Sequence, residues 1–68
     1  MAKKNTYIVV QRSLTSGHQR DFVVKSSTPR GASMIVNRDH YNRFSINKVY
    51  SVVQGKPNAL LFETKNMS

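Results

Sequence analysis

Sixty-eight residues leave room for a single core, because a second one could not bury enough apolar surface to offset its chain entropy. Without cysteine, and with only two separated histidines and three acids, the composition excludes disulfides and thiolate metal sites; no metal or other cofactor is expected, and the fold must rest on packing. Eleven Lys and Arg against three Asp and Glu give a formal charge of +8, a field that attracts phosphate backbones, acidic proteins or anionic lipid, or that serves solubility alone.

Met1 to Asn5 reads as a loose tail. Thr6 to Arg12 is rich in β-branched residues and too short for a stable amphipathic helix, so it is expected to be a strand. Ser13 to Gln19, with Ser16-Gly17, is turn chemistry, and Asp21 to Lys25 returns as a second strand, which makes a hairpin with a long polar tip. Thr28-Pro29 then pairs an N-cap hydroxyl with a proline at the first helical position, where its missing donor costs nothing. Steps of 100° from Pro29 place Ala32, Ile35 and Val36 on one face and Arg30, Ser33, Asn37 and Tyr41 opposite. Asp39 falls on the apolar face, so the helix is expected to end near it, and the Asp39 carboxylate to end the helix or to pair with Arg43.

Phe44 to Val53 alternates at its start and reads as the longest strand; Lys48 interrupts the series Phe44, Ile46, Tyr50, Val52 and marks a candidate bulge. Gln54 to Asn58 is a turn signal, Ala59 to Thr64 the fourth strand, and Lys65 to Ser68 a second loose tail. The order is ββαββ, an α+β domain in which one helix covers one face of a four-stranded antiparallel sheet. A strand order of 2-1-3-4 keeps each neighbouring pair antiparallel and permits a right-handed crossover from the second strand to the third.

One helix cannot cover both sheet faces. The apolar runs Tyr7 to Val10, Phe22 to Val24, Val52 to Val53 and Leu60 to Phe62 are consecutive, so apolar groups remain on the uncovered face whichever parity packs inward, inviting a homodimer or a protein partner. Arg12 and Arg20 flank the first hairpin tip, Arg30, Arg38 and Arg43 lie along and after the helix, and Lys56 sits in the second turn; these six are the candidate contacts to phosphate or to an acidic partner. Tyr7, Tyr41 and Tyr50 are read first as edge-of-core residues and second as stacking platforms for bases. Asp39 and His40 are adjacent on a helix and point about 100° apart, and His18 has no nucleophile beside it, so no catalytic constellation is expected.

The strand opening Thr6-Tyr7-Ile8-Val9, the helix opening at Thr28-Pro29 and the turn Gly55-Lys56 ahead of Ala59-Leu60-Leu61-Phe62 give a layout that resembles small bacteriophage proteins that disable host machinery, some anti-CRISPR proteins among them. That resemblance implies a small wedge on a regulatory or nucleic-acid-binding surface of a host complex, such as a CRISPR effector or RNA polymerase, and carries over no functional positions. Two functions are therefore expected to compete: a basic, non-catalytic protein binding nucleic acid with little sequence preference, or a phage-type inhibitor of an acidic nucleic-acid-handling protein. The absence of cysteine and of a long apolar run leads to an expected cytoplasmic location with no membrane partner.

Overall fold

The computed structural model describes residues 3–67. It has the expected order: β1 (Asn5–Ser13), β2 (Gln19–Ser26), α1 (Pro29–Asp39), β3 (Phe44–Val53) and β4 (Lys56–Met67), with the strands in one antiparallel sheet ordered β2-β1-β3-β4. The expected second tail is shorter than supposed, since Lys65 to Met67 pair with Phe44 to Ile46 and make β4, not β3, the longest strand. Ser68 and the start of the first tail, Met1 and Ala2, lie outside the described residues, and Asn5 belongs to β1. Among the described residues no helix is long and apolar enough to cross a membrane.

The helix starts where its capping chemistry demands. Thr28 is extended (φ −139°, ψ 154°) and its Oγ1 accepts from the Gly31 amide at 3.0 Å, while Pro29 opens the first turn. The Ser26 hydroxyl accepts from the Thr28 amide at 3.4 Å, tying the cap to the end of β2. A Cβ at Gly31 would run into Ser26 Oγ, so the glycine that weakens the helix is the one that lets it start this close to the sheet. His40 caps the other end through its amide, which donates to Val36 O at 2.8 Å.

Strand register resolves the covered face into rows. Phe22, Val9, Val49 and Phe62 lie side by side across all four strands, with Val24 and Tyr7 in the next row, and Ala32 and Val36 close over them. Val9, Ala32 and Val49 are wholly buried. Two rows further along, the same face turns polar: Gln11, Asn47 and Thr64, then Ser13, Ser45 and Asn66. The helix answers with polar groups. Ser33 Oγ and Thr64 Oγ1 share a hydrogen bond at 3.2 Å, Asn66 Nδ2 donates to Asn37 Oδ1 at 2.7 Å, and Gln11 Nε2 donates to His40 O at 2.9 Å.

This polar half corrects the expected helix face. Ser33 is 2% exposed and Asn37 half-buried, both on the sheet side, whereas Ile35 is only partly buried toward β2. Hydropathy alone misplaced Ser33 because the surface it meets is itself polar. The bulge is also displaced. Lys48 stays in regular register opposite Glu63, and the irregularities fall after it, between Val49 and Tyr50 and between Tyr50 and Val52.

The second turn is tighter than expected. Gln54 (φ 53°) and Gly55 (φ 76°) alone form it, both left-handed as a primed two-residue hairpin requires, and Pro57 and Asn58 already belong to β4. Pro57 is tolerated there because β4 is an edge strand.

Candidate nucleic-acid interface

On the face without the helix, register again sets the rows. Val23, Ile8, Tyr50 and Leu60 lie across the sheet; next come Asp21, Val10, Lys48 and Glu63; then Gln19, Arg12, Ile46 and Lys65. Ile8 is only 7% exposed although no helix lies over it, flanked in register by Val23 and Tyr50.

This face is concave. A hollow of about 390 Å³ is floored by Val10, Arg12, Ile46, Lys48 and Tyr50 of the two central strands. Gln19 and Asp21 on one edge strand and Pro57 and Asn58 on the other line the same hollow, so the sheet coils across its width. The register irregularities opposite Tyr50, where β4 carries the extra residues, are consistent with this, since an extra residue bends its strand and raises the local twist. Arg12 and Lys48 are diagonal neighbours across β1 and β3, roughly 7–8 Å apart along the sheet, and they bring two cations to a floor that also holds one aromatic ring, Lys48 one row from Tyr50 and Arg12 two. Lys25 and Lys65 share the parity of this face, and so do two of the three acids, Asp21 and Glu63.

The six candidate cations are not gathered on one surface. Arg12 is in the hollow. Arg20 pairs with Gln11 in register and therefore belongs to the helix side of the sheet, beside a second depression shared with Ser16, His18 and Asn42. Arg38 Nε donates to Asp39 Oδ1 at 3.0 Å, and Arg43 lies over the Phe44 ring with its guanidinium carbon 5.3 Å from the centroid. Arg30 projects from the first helical turn at the opposite end of the molecule, and Lys56 starts β4 at the tip of the second hairpin.

Electrostatics lowers the standing of Arg38. The hydrogen bond from Arg38 is the largest influence on the Asp39 carboxyl and holds it below its ordinary value, against desolvation, with smaller help from the charges of Arg38 and His40. The same hydrogen bond and charge raise the Arg38 value. Asp39 thus keeps its negative charge beside Arg38 and offsets it, in place of the expected pairing with Arg43. His40 stacks on Phe22, with centroids 4.4 Å apart and planes at 25°.

Lys48 is not among the six candidate cations, and Tyr50 is one of the three tyrosines read second as stacking platforms. Lys48 is a cation in the middle of an otherwise apolar strand parity, a pattern that marks a residue on the open face as readily as it marks a bulge. Of the three tyrosines, Tyr7 is core, Tyr41 is exposed after the helix, and Tyr50 alone lines the hollow. Compared with known proteins, the chain matches no family, and neither a curated protein nor a solved structure shows significant similarity to it.

Proposed function

We propose that the chain is a non-catalytic nucleic-acid-binding protein that takes a single strand across its open sheet face with little sequence preference. The observation that carries this reading is the hollow whose floor runs from Tyr50 to Lys48 in the next row and on to Arg12 in the row after. Cations there neutralise phosphates, the ring offers a face to any base, and no element is shaped to read base edges in a duplex groove. A rigid duplex is a poor fit to a hollow bounded by both edge strands, while an unstacked strand can follow it.

Titration of single-stranded and duplex oligonucleotides at several salt concentrations tests this. Each phosphate neutralised on a single strand contributes about −0.7 to the slope of log affinity against log salt, so Arg12, Lys25, Lys48 and Lys65 together predict about −3. Arg12→Ala or Lys48→Ala reduces that slope by about 0.7, and Tyr50→Leu weakens single-strand binding by about 1–3 kcal/mol. Arg30→Ala changes little. Absence of binding at low salt, or an equal loss from Arg30→Ala, overturns the reading.

The exposed apolar residues Val53, Leu60 and Leu61 on the second hairpin favour a second reading, an inhibitor of the phage type that docks on an acidic nucleic-acid-handling protein. A partner captured from bacterial lysate and retained after nuclease treatment, with no oligonucleotide binding, would select it.

A further inference from the structure

Both edge strands of the sheet leave a row of main-chain donors and acceptors unpaired in the isolated chain, and the two edges differ in what flanks that row. Beside β4 the helix side is polar and closed, because Thr64 and Asn66 already bond to Ser33 and Asn37. Beside β2 it is a groove of about 450 Å³ between strand and helix, its apolar part lined by Phe22, Val24, Ile35 and Val36 and its polar part by Asp21, Lys25, Asp39 and His40. On the opposite face of β2, Val23 is 74% exposed, the most exposed of the large apolar side chains among the described residues.

We infer that β2 pairs with β2 of a second copy of this chain, antiparallel about Val23, to give a continuous eight-stranded sheet with both helices on one side. In that register the residues opposite one another have numbers that sum to 46. Val23 meets Val23, Phe22 meets Val24, and Asp21 meets Lys25 twice, once on each side of the two-fold axis. The pattern is self-complementary from Asp21 to Lys25: apolar residues and opposite charges face each other there, and Arg20 beyond them faces the uncharged Ser26. Moving the axis to Phe22 or Val24 keeps the helices on one side but sets Asp21 or Lys25 against Val23 and loses both charge pairs. A shift that puts Phe22 opposite Val23 places Arg20 against Lys25. The axis at Val23 is the one that combines both charge pairs with the two grooves on the same side of the joined sheet, where Ile35, half-buried in one copy, lines the groove that the partner adjoins.

An alternative register exists on β4, about Thr64, which would oppose Glu63 to Lys65. It lacks the apolar groove, since its helix side is filled by hydrogen-bonded amides and hydroxyls. The inference does not depend on nucleic-acid binding and is tested without nucleic acid.

Sedimentation velocity or light scattering on the full chain across a range of concentrations should show a species of twice 7.7 kDa. Val23→Lys sets like charges at the axis and should weaken dimerisation by roughly tenfold or more, with circular dichroism unchanged because the side chain is exposed. Asp21→Lys and Lys25→Asp should each weaken it alone, whereas the double exchange restores it, a rescue that damage to the monomer fold would not produce. Leu61→Lys on β4 should leave the dimer intact. A chain that stays monomeric at all concentrations overturns the inference, as does a dimer lost with Leu61→Lys and kept with Val23→Lys.

Discussion

The two faces of this sheet carry the same stock of apolar residues at the same level, yet only one of them is a core. Val9 and Ile8, Phe22 and Val23, Val49 and Tyr50, Phe62 and Leu60 stand back to back on the four strands, so the apolar runs form a belt around the sheet rather than a layer on one side. On the covered face, Ala32 and Val36 close that belt and the residues of β1 and β3 vanish from solvent. On the open face nothing but the sheet's own coiling closes it, which hides Ile8 and leaves Val23 and Leu60 exposed. Burial here is decided by the partner layer, not by the strand sequence, and the face without a layer is the one free to bind.

The largest effect expected from breaking this difference is a charge placed on either side of the belt. Val9→Asp puts an unpaired carboxylate in the centre of a core whose net worth is only about 3–5 kcal/mol, and the cost of such a burial matches or exceeds it. That variant should show no folded circular dichroism signal at 25 °C. Val23→Asp, one register row away on the other face, should keep the folded circular dichroism signal and, at concentrations low enough for both chains to be monomeric, melt within a few degrees of the parent. Equal damage from both would mean that the open face is covered in the monomer.

A smaller loss is expected at Ser33. Its hydroxyl is 2% exposed and bonded to Thr64, so Ser33→Asp introduces a charge into the polar half of the interface and should cost roughly 1–3 kcal/mol, read as a lowered melting temperature. Arg30→Asp, on the exposed side of the same helix, should have little effect on melting.

These contrasts separate what the sequence made legible from what it did not. Thr28-Pro29 located the helix start because capping is local chemistry, and the β-branched runs located the strands for the same reason. The strand order followed from short connections and a right-handed crossover. The parity of the sheet was not legible, because Tyr7 to Val10 and Phe22 to Val24 are apolar at consecutive positions and satisfy either face. Ser33 and Asn37 were assigned to solvent because their partners, Thr64 and Asn66, lie about 30 residues away on β4. Of the two cations that line the hollow, Arg12 is among the six that the sequence singles out and Lys48 is not. Its meaning depends on a long-range fact, that the series Phe44, Ile46, Tyr50 and Val52 faces away from the helix.

Asn47 sharpens the comparison from the covered side. It is wholly buried in β3, and neither Nδ2 nor Oδ1 has a hydrogen-bond partner in the protein. A buried amide in that condition carries a penalty of about 1–3 kcal/mol, whereas an apolar side chain of similar size does not. Asn47→Val should therefore stabilise the fold by about 1 kcal/mol, which for a domain of this size raises the melting temperature by about 4–8 °C. The single-strand affinity should not change, since Asn47 faces the helix and not the hollow. A lower melting temperature would show that the amide is satisfied in solution.

The smallest effect is expected at the turn that carries the hairpin tip to the open face. Gln54 occupies the left-handed region at φ 53°, where a side chain crowds the following carbonyl, and asparagine tolerates that conformation better because its short amide bonds locally. Gln54→Asn should stabilise the protein by about 0.5 kcal/mol. The gain belongs to one place. Pro57 and Asn58, three and four residues beyond Gln54, bound the hollow, while Val9 and Val49 lie in the covered core. Amide exchange should therefore slow by the same factor of roughly 2 at Val52, Val53 and Lys56 and at Val9 and Val49, because local and global openings that break the turn lose the same stabilisation, and should not change at Gln19 and Arg20, where local opening of the first hairpin leaves this turn intact. Equal slowing at Gln19 and Arg20 would show that the two hairpins open only together, as one unit.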